Sequence, residues 1–182
     1  MSRIPTPTTI DAAPAPTHDA LRAVEAQLGS VPNMFRIIAN SPAALHGYLG
    51  LSGALGKGRL DARTRERIAL AVAQQNGCGY CLAAHSYLGK QLARLDDAEL
   101  ARNRAGYSSD PKADVAVQFA VALVRARGRV DAAAIERVLA NGYDHGQVVE
   151  IIAHVALNTL TNYVNEALAT ALDFPAVADA AA

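Results

Sequence analysis

A run of helix starts and stops limits what this chain can become. Ser41-Pro42, Asp61, Asp96-Asp97-Ala98-Glu99, Asp110-Pro111, Asp131 and Asp144 each stand before an apolar stretch of helical period. Short polar side chains there accept hydrogen bonds from the first free amides of a helix, and proline in the first turn forfeits no bond. Gly29, Gly56, Gly58 and Gly77 interrupt the pattern where helices should end. β-branched runs are short and do not alternate, so no strand is predicted. The spacing predicts an all-α bundle, with helices at 18–28, from Pro32 to the break at Asn40-Ser41-Pro42, from there to 55, after Asp61 through 73, at 78–95, a fresh start at 96–99, one at 111–127, a short one after Asp131, and a last one at 144–172.

Two features qualify that layout. Residues 1–17 hold four prolines, which rules out a stable helix and predicts an extended arm, either disordered or laid on a neighbouring subunit. The remainder, 18–182, reads as one domain of a size that can bury a sizeable core. Within it Gly58-Arg59-Leu60-Asp61-Ala62 recurs as Gly128-Arg129-Val130-Asp131-Ala132, each copy after a proline-started helix. The match points to an internal helical duplication.

Composition excludes several functions. Formal charge is zero and the isoelectric point is about 7.0, so no global field draws the chain to nucleic acid or acidic membranes. No apolar run reaches membrane-spanning length. The N-terminal residues lack a secretory apolar core, and a lone pair of cysteines argues against a disulfide framework; a reducing cytoplasm is the expected location.

The chemistry lies between Glu66 and His85. The only cysteines, Cys78 and Cys81, form C-x-x-C at a predicted helix start, where free amides and the helix dipole favour a thiolate. His85 follows at i+7 from Cys78, on the same face. In one straight helix Glu66 would lie roughly 18 Å from Cys78 and outside the chemistry. If the chain reverses at Asn76-Gly77, Glu66 and His85 come level, in the order Glu66, His85, Cys81: a carboxylate orients an imidazole that takes a thiol proton. Two blander readings stay open: Cys78, Cys81 and His85 as metal ligands with Glu66 or water, or two thiols packed in a core. Glu66 by itself could equally be a surface charge, and Tyr80 a packing residue.

Glu-x11-Cys-x-x-Cys-x3-His resembles the core motif of AhpD-like alkylhydroperoxidases, within the carboxymuconolactone decarboxylase-like superfamily, at Glu66, Cys78, Cys81 and His85. The resemblance extends to Leu28-Gly29-Ser30-Val31-Pro32-Asn33-Met34-Phe35, to Ala39-Asn40-Ser41-Pro42, and to the stretch from Asn158 to Pro175. It implies an AhpD-like helical bundle, a homo-oligomer, and reduction of a small hydroperoxide with Cys81 as the attacking thiolate and Cys78 as the resolving thiol. Glu66 and His85 would form the proton relay, and a dithiol or protein reductant would regenerate the pair without any cofactor or metal. The best-known members carry histidine where this chain has Tyr80, which joins the candidate catalytic set as a hydrogen-bond donor and a poor base. The competing functions are a decarboxylase-like lyase on the same fold, and a redox-responsive interaction protein with little turnover.

One further pattern stands apart. His154, Asn158, Asn162 and Glu166 recur at i+4 along the last helix, with Tyr163 and Asn165 nearby. Their expected role is structural or interfacial, either at the cysteine pocket or between subunits. His18, His46 and His145 are expected to be solvated or to cap helices.

Overall fold

The computed structural model describes residues 2–177. They form an all-α bundle without a sheet: α1 His18–Leu28, α2 Asn33–Ile38, α3 Pro42–Gly56, α4 Ala62–Gln75, α5 Gly79–Gln91, α6 Asp97–Arg104, α7 Pro111–Arg125, α8 Ala132–Ala140 and α9 His145–Leu168. The cap residues act as their types predict. Ser41, Asp61, Asp96, Asp110, Asp131 and Asp144 each accept from an amide in the first turn of the following helix. At α9, Gln147 returns a bond to the Asp144 amide and completes a capping box.

The bundle is built around α4. Ile68 to Ala73 are all buried, so this helix is apolar on every side and must be surrounded. Its neighbours are α5, α6, α7 and α9. Leu70 and Ala73 pack with α1, α2 and α5, whereas Ile68 and Val72 pack with α7, α8 and α9. One helix therefore joins two parts of the core, and alanine at 69, 71 and 73 lets its neighbours approach closely.

Several boundaries differ from the sequence expectation. Cys78 is the N-cap of α5 rather than a residue within it. That helix stops at Gln91, well short of 95: the chain turns through Arg94 at φ 53°, and the Leu95 amide bonds back to the Gly89 carbonyl at 2.9 Å. α9 ends at Leu168 because Ala169 adopts φ 49°, closing the last turn four residues before the expected end. Pro32 caps α2 from outside its first turn.

The proline-rich arm lies along its own chain. The Arg3 amide bonds the Leu168 carbonyl at 2.7 Å, Asn40 donates to the Pro5 carbonyl at 2.9 Å, and Arg36 reaches the carbonyls of Pro7 and Thr8. Ala13 is buried, and the arm finishes in a 3-10 turn, Ala15–Thr17. His18 and His46 bond the Ala13 and Pro16 carbonyls at its end. The two Gly-Arg-x-Asp-Ala copies occupy matching places, each between a proline-started helix of 15 residues and an aspartate-capped one. Glu150 accepts from the amides of Arg59 and Leu60 and so caps the first copy of the loop.

Candidate active site

The turn at Asn76-Gly77 makes the site. α4 closes with the Gly77 amide on the Gln74 carbonyl at 3.2 Å and the Cys78 amide on the Ala73 carbonyl at 2.9 Å. This double closure requires a left-handed residue, supplied by Gly77 at φ 66°. Cys78 ends that motif and at once caps α5, its Sγ accepting the Cys81 amide at 3.3 Å. The helices consequently lie antiparallel, and Glu66 on α4 meets His85 on α5 with Oε2 2.9 Å from Nδ1.

Cys78 and Cys81 are both free, their sulfurs 2.7 Å apart. Cys81 sits in the first turn of α5 and also accepts a hydrogen bond from Asn165 Nδ2 on α9 at 3.2 Å. The Cys78 hydrogen bond, His85 and Asn165 together outweigh burial and lower the Cys81 thiol to about 7. Cys78 is pushed the opposite way, by its role as donor to Cys81, by burial and by the neighbouring thiolate. The pair is thus divided into a thiolate and a proton-holding thiol. Burial opposes the charged form of His85, but the Glu66 carboxylate and its hydrogen bond, joined by Cys81, raise its pKa above the ordinary value.

Cys81 and His85 open onto a cavity of about 560 Å³ between α3, α4, α5 and α9; Cys78 does not line it. Its walls are mainly apolar and aromatic, with Phe35, Tyr48 and Phe174 among them. Tyr80 also lines it, yet its hydroxyl points elsewhere. That group donates to Asp173 Oδ1 at 2.7 Å and accepts from the Met34 amide at 3.2 Å, and the ring stands edge-on to Phe174 at 5.8 Å. Burial and the Asp173 carboxylate push its pKa well above the usual phenol range, although the Met34 amide opposes this. Asp173 Oδ2 in turn accepts the Asn33 amide at 2.6 Å. Tyr80 thereby ties the chain after α9 to α2 across one end of the cavity. Tyr80→Phe should lower stability by about 1–2 kcal/mol and hasten proteolytic cleavage within 170–177, measured by urea unfolding and timed digestion.

The polar row of α9 divides. His154, Asn158, Asn162 and Asn165 are buried, while Glu166 and Tyr163 face outward. Asn162 accepts from Asn76 Nδ2 at 2.8 Å, fixing the turn that carries Cys78. Asn165, which contacts the Cys81 sulfur, stood in the sequence only as a neighbour of this row. Its signal was spacing: 154, 158, 161, 162 and 165 share the inward face, and 166 is rotated off it. Among the described residues no group of three His, Cys, Asp or Glu side chains could hold a metal ion.

The family model described as the carboxymuconolactone decarboxylase family matches residues 42–122, from the start of α3 into α7, and so spans all four motif residues. No curated protein sequence matches significantly. A peroxidase-related protein with an alkylhydroperoxidase AhpD core from Ralstonia eutropha is similar in structure at a TM-score of 0.85 and 24% identity, covering 94% of this chain and 92% of that one. A peroxidase-related protein from a Silicibacter species gives 0.81 and 25%, over 93% and 91%. The debrominase Bmp8, in a cysteine-to-alanine variant complexed with 2,3,4-tribromopyrrole, gives 0.79 and 19%, over 95% and 94%. The chain has the AhpD-like fold, and its segment 42–122 carries the match to the carboxymuconolactone decarboxylase family.

Proposed function

We propose that this protein is a thiol-dependent hydroperoxide reductase in which Cys81 attacks and Cys78 resolves. One observation carries the assignment of roles: Cys81 faces the cavity as a stabilised thiolate, whereas Cys78 is wholly buried behind it and keeps its proton. The thiolate attacks the terminal oxygen of the hydroperoxide. The O–O bond breaks, the sulfur becomes a sulfenic acid, and the departing alkoxide takes the proton of the His85 imidazolium and leaves as an alcohol. Cys78 then attacks the Cys81 sulfur, closing a disulfide and releasing water. A dithiol or protein reductant entering the cavity returns two electrons and two protons and restores both thiols. Stoichiometric hydroperoxide should convert the two free thiols into one intramolecular disulfide, read by intact mass and thiol titration; two thiols left unreacted would sink the proposal.

Glu66→Gln tests the relay. Without the carboxylate, burial of His85 is opposed only by Cys81 and its pKa falls, so less imidazolium stands beside Cys81 near neutral pH. The Cys81 thiolate then forms only at higher pH than in the native protein. Thiolate ultraviolet absorbance against pH should show an upward-shifted midpoint, and peroxide reduction at neutral pH should fall by roughly 10²-fold.

A second reading uses the same thiols. The aromatic walls suit a small haloaromatic ring like that bound by the debrominase relative. There two thiols and an aryl bromide would yield a disulfide, the dehalogenated ring and hydrogen bromide. A lyase reading makes no use of the pair, and turnover surviving alkylation of both thiols would favour it.

The reading retains a homo-oligomer in a reducing compartment such as the cytoplasm. No helix among the described residues is long and apolar enough to cross a membrane. Val149, Ile152, Leu160 and Tyr163 form an exposed apolar stripe along α9, and a second copy of this chain would cover it. Tyr163→Glu should reduce the mass measured by light scattering.

A further inference from the structure

α9 presents two buried polar atoms without partners to the cavity, one at each end. At the reaction end Asn165 gives its Nδ2 to the Cys81 sulfur and leaves Oδ1 unbonded. At the other, His154 is 5% exposed, lines the same cavity, and has no partner for Nε2. Eleven residues of one unbroken helix separate them, roughly 16 Å along its axis. His154 is therefore too distant to take part in chemistry at the sulfur.

The surroundings of His154 define what it would receive. Burial first, then Arg65, lowers its pKa to about 4 against the opposing carboxylates of Glu150 and Glu66. The ring is consequently neutral, with charges of both signs nearby, and its Nε2 can donate to or accept from an uncharged group according to the tautomer. Asn158, one turn further on, gives Nδ2 to the His154 carbonyl at 2.8 Å and keeps Oδ1 as an acceptor. The cavity walls also include Tyr48, Leu157 and Phe35. A buried polar atom left open beside an apolar channel is satisfied when a ligand supplies the missing bond.

We infer that the cavity selects an elongated substrate, with an apolar body whose reactive end meets Cys81 and whose far end carries an uncharged hydrogen-bonding group, a hydroxyl, carbonyl or amide, received by His154. His154 is a substrate-binding residue and sets specificity. The inference rests on the hydroperoxide reading only for the identity of the reactive end.

The test compares two straight-chain hydroperoxides of roughly ten carbons, a length suited to that span, one ending in methyl and the other in hydroxyl. The native protein should show a KM lower by roughly tenfold for the hydroxyl-ended compound, the worth of one well-made hydrogen bond. His154→Phe should erase that ratio and His154→Gln should restore part of it. A second measurement needs no turnover. Calorimetry on Cys81→Ser protein should find the matching diol bound more tightly than the matching alcohol, with the difference lost once His154→Phe is added. Equal treatment of both compounds by the unsubstituted protein overturns the inference whether or not any variant folds. So does a His154→Phe protein that loses kcat/KM equally for both, which marks a structural role. Tighter binding of the diol in a protein that reduces no peroxide would remove the hydroperoxide reading and uphold this one.

Discussion

Cys81→Ser is expected to lose hydroperoxide reduction by at least roughly 10³-fold, because serine at this position has no accessible anion near neutral pH. The environment that lowers the thiol to about 7 depends on hydrogen bonds from Cys78 and Asn165 and on the nearby His85 charge. These stabilise a sulfur anion that already exists at neutral pH; an alcohol lies too far above that range for the same contacts to ionise it. Cys78→Ser should behave differently. It keeps a hydroxyl that can donate to Cys81, so one equivalent of peroxide is still consumed, but the product stops as a sulfenic acid. Intact mass after one equivalent distinguishes the outcomes: no change for Cys81→Ser, one added oxygen for Cys78→Ser, and a loss of two hydrogens for the native protein. Multiple turnover by Cys81→Ser with a dithiol reductant would end the assignment.

Glu99→Ala is expected to cause the largest loss of stability, about 3–5 kcal/mol, by stranding a buried guanidinium. Arg67 and Glu99 are both nearly sealed from solvent, with Nε 2.8 Å from Oε1, and the next carboxylate, Asp110, is 3.8 Å from Arg67. The Glu99 carboxylate also accepts from Asn103, Ser108 and Ser109. Burial acts to raise its pKa, but the Ser108, Ser109 and Asn103 bonds outweigh burial and hold it at about 2. Because the folded value lies below the ordinary 4.5, this contribution is complete above about 4.5 and is lost as pH falls toward 2. The difference corresponds to about 3 kcal/mol. Urea midpoints between pH 6 and pH 3, about one unit either side of the ordinary carboxylate range, should fall more steeply for the native protein than for Glu99→Ala. Parallel slopes would show that Glu99 titrates normally.

Neither member of this network stood out in the sequence. Glu99 reads there as a first-turn acidic residue of α6, and Arg67 as one charge among several beside Glu66. Their pairing across 32 positions depends on α6 folding back against α4. Tyr80 is similar. From the chain alone it stood beside Cys81 and joined the catalytic candidates, but the fold commits its hydroxyl to Asp173, 93 positions away.

What the sequence determined by itself was local. Caps and glycines sit within a few residues of the amides and carbonyls they satisfy, so the helices and most of their starts were legible without knowing how they pack. The reversal at Gly77 was legible too, since left-handed backbone has few other sources, and it placed Glu66 beside His85. Tertiary structure alone decided whatever depends on separate helices meeting. Packing α9 against the α4–α5 hairpin brought Asn165 to the Cys81 sulfur and turned Glu166 to solvent. It also left His154 buried, without a partner for Nε2, in the wall of a cavity whose existence no local pattern records. Periodicity places residues on a face, but only packing determines what that face meets.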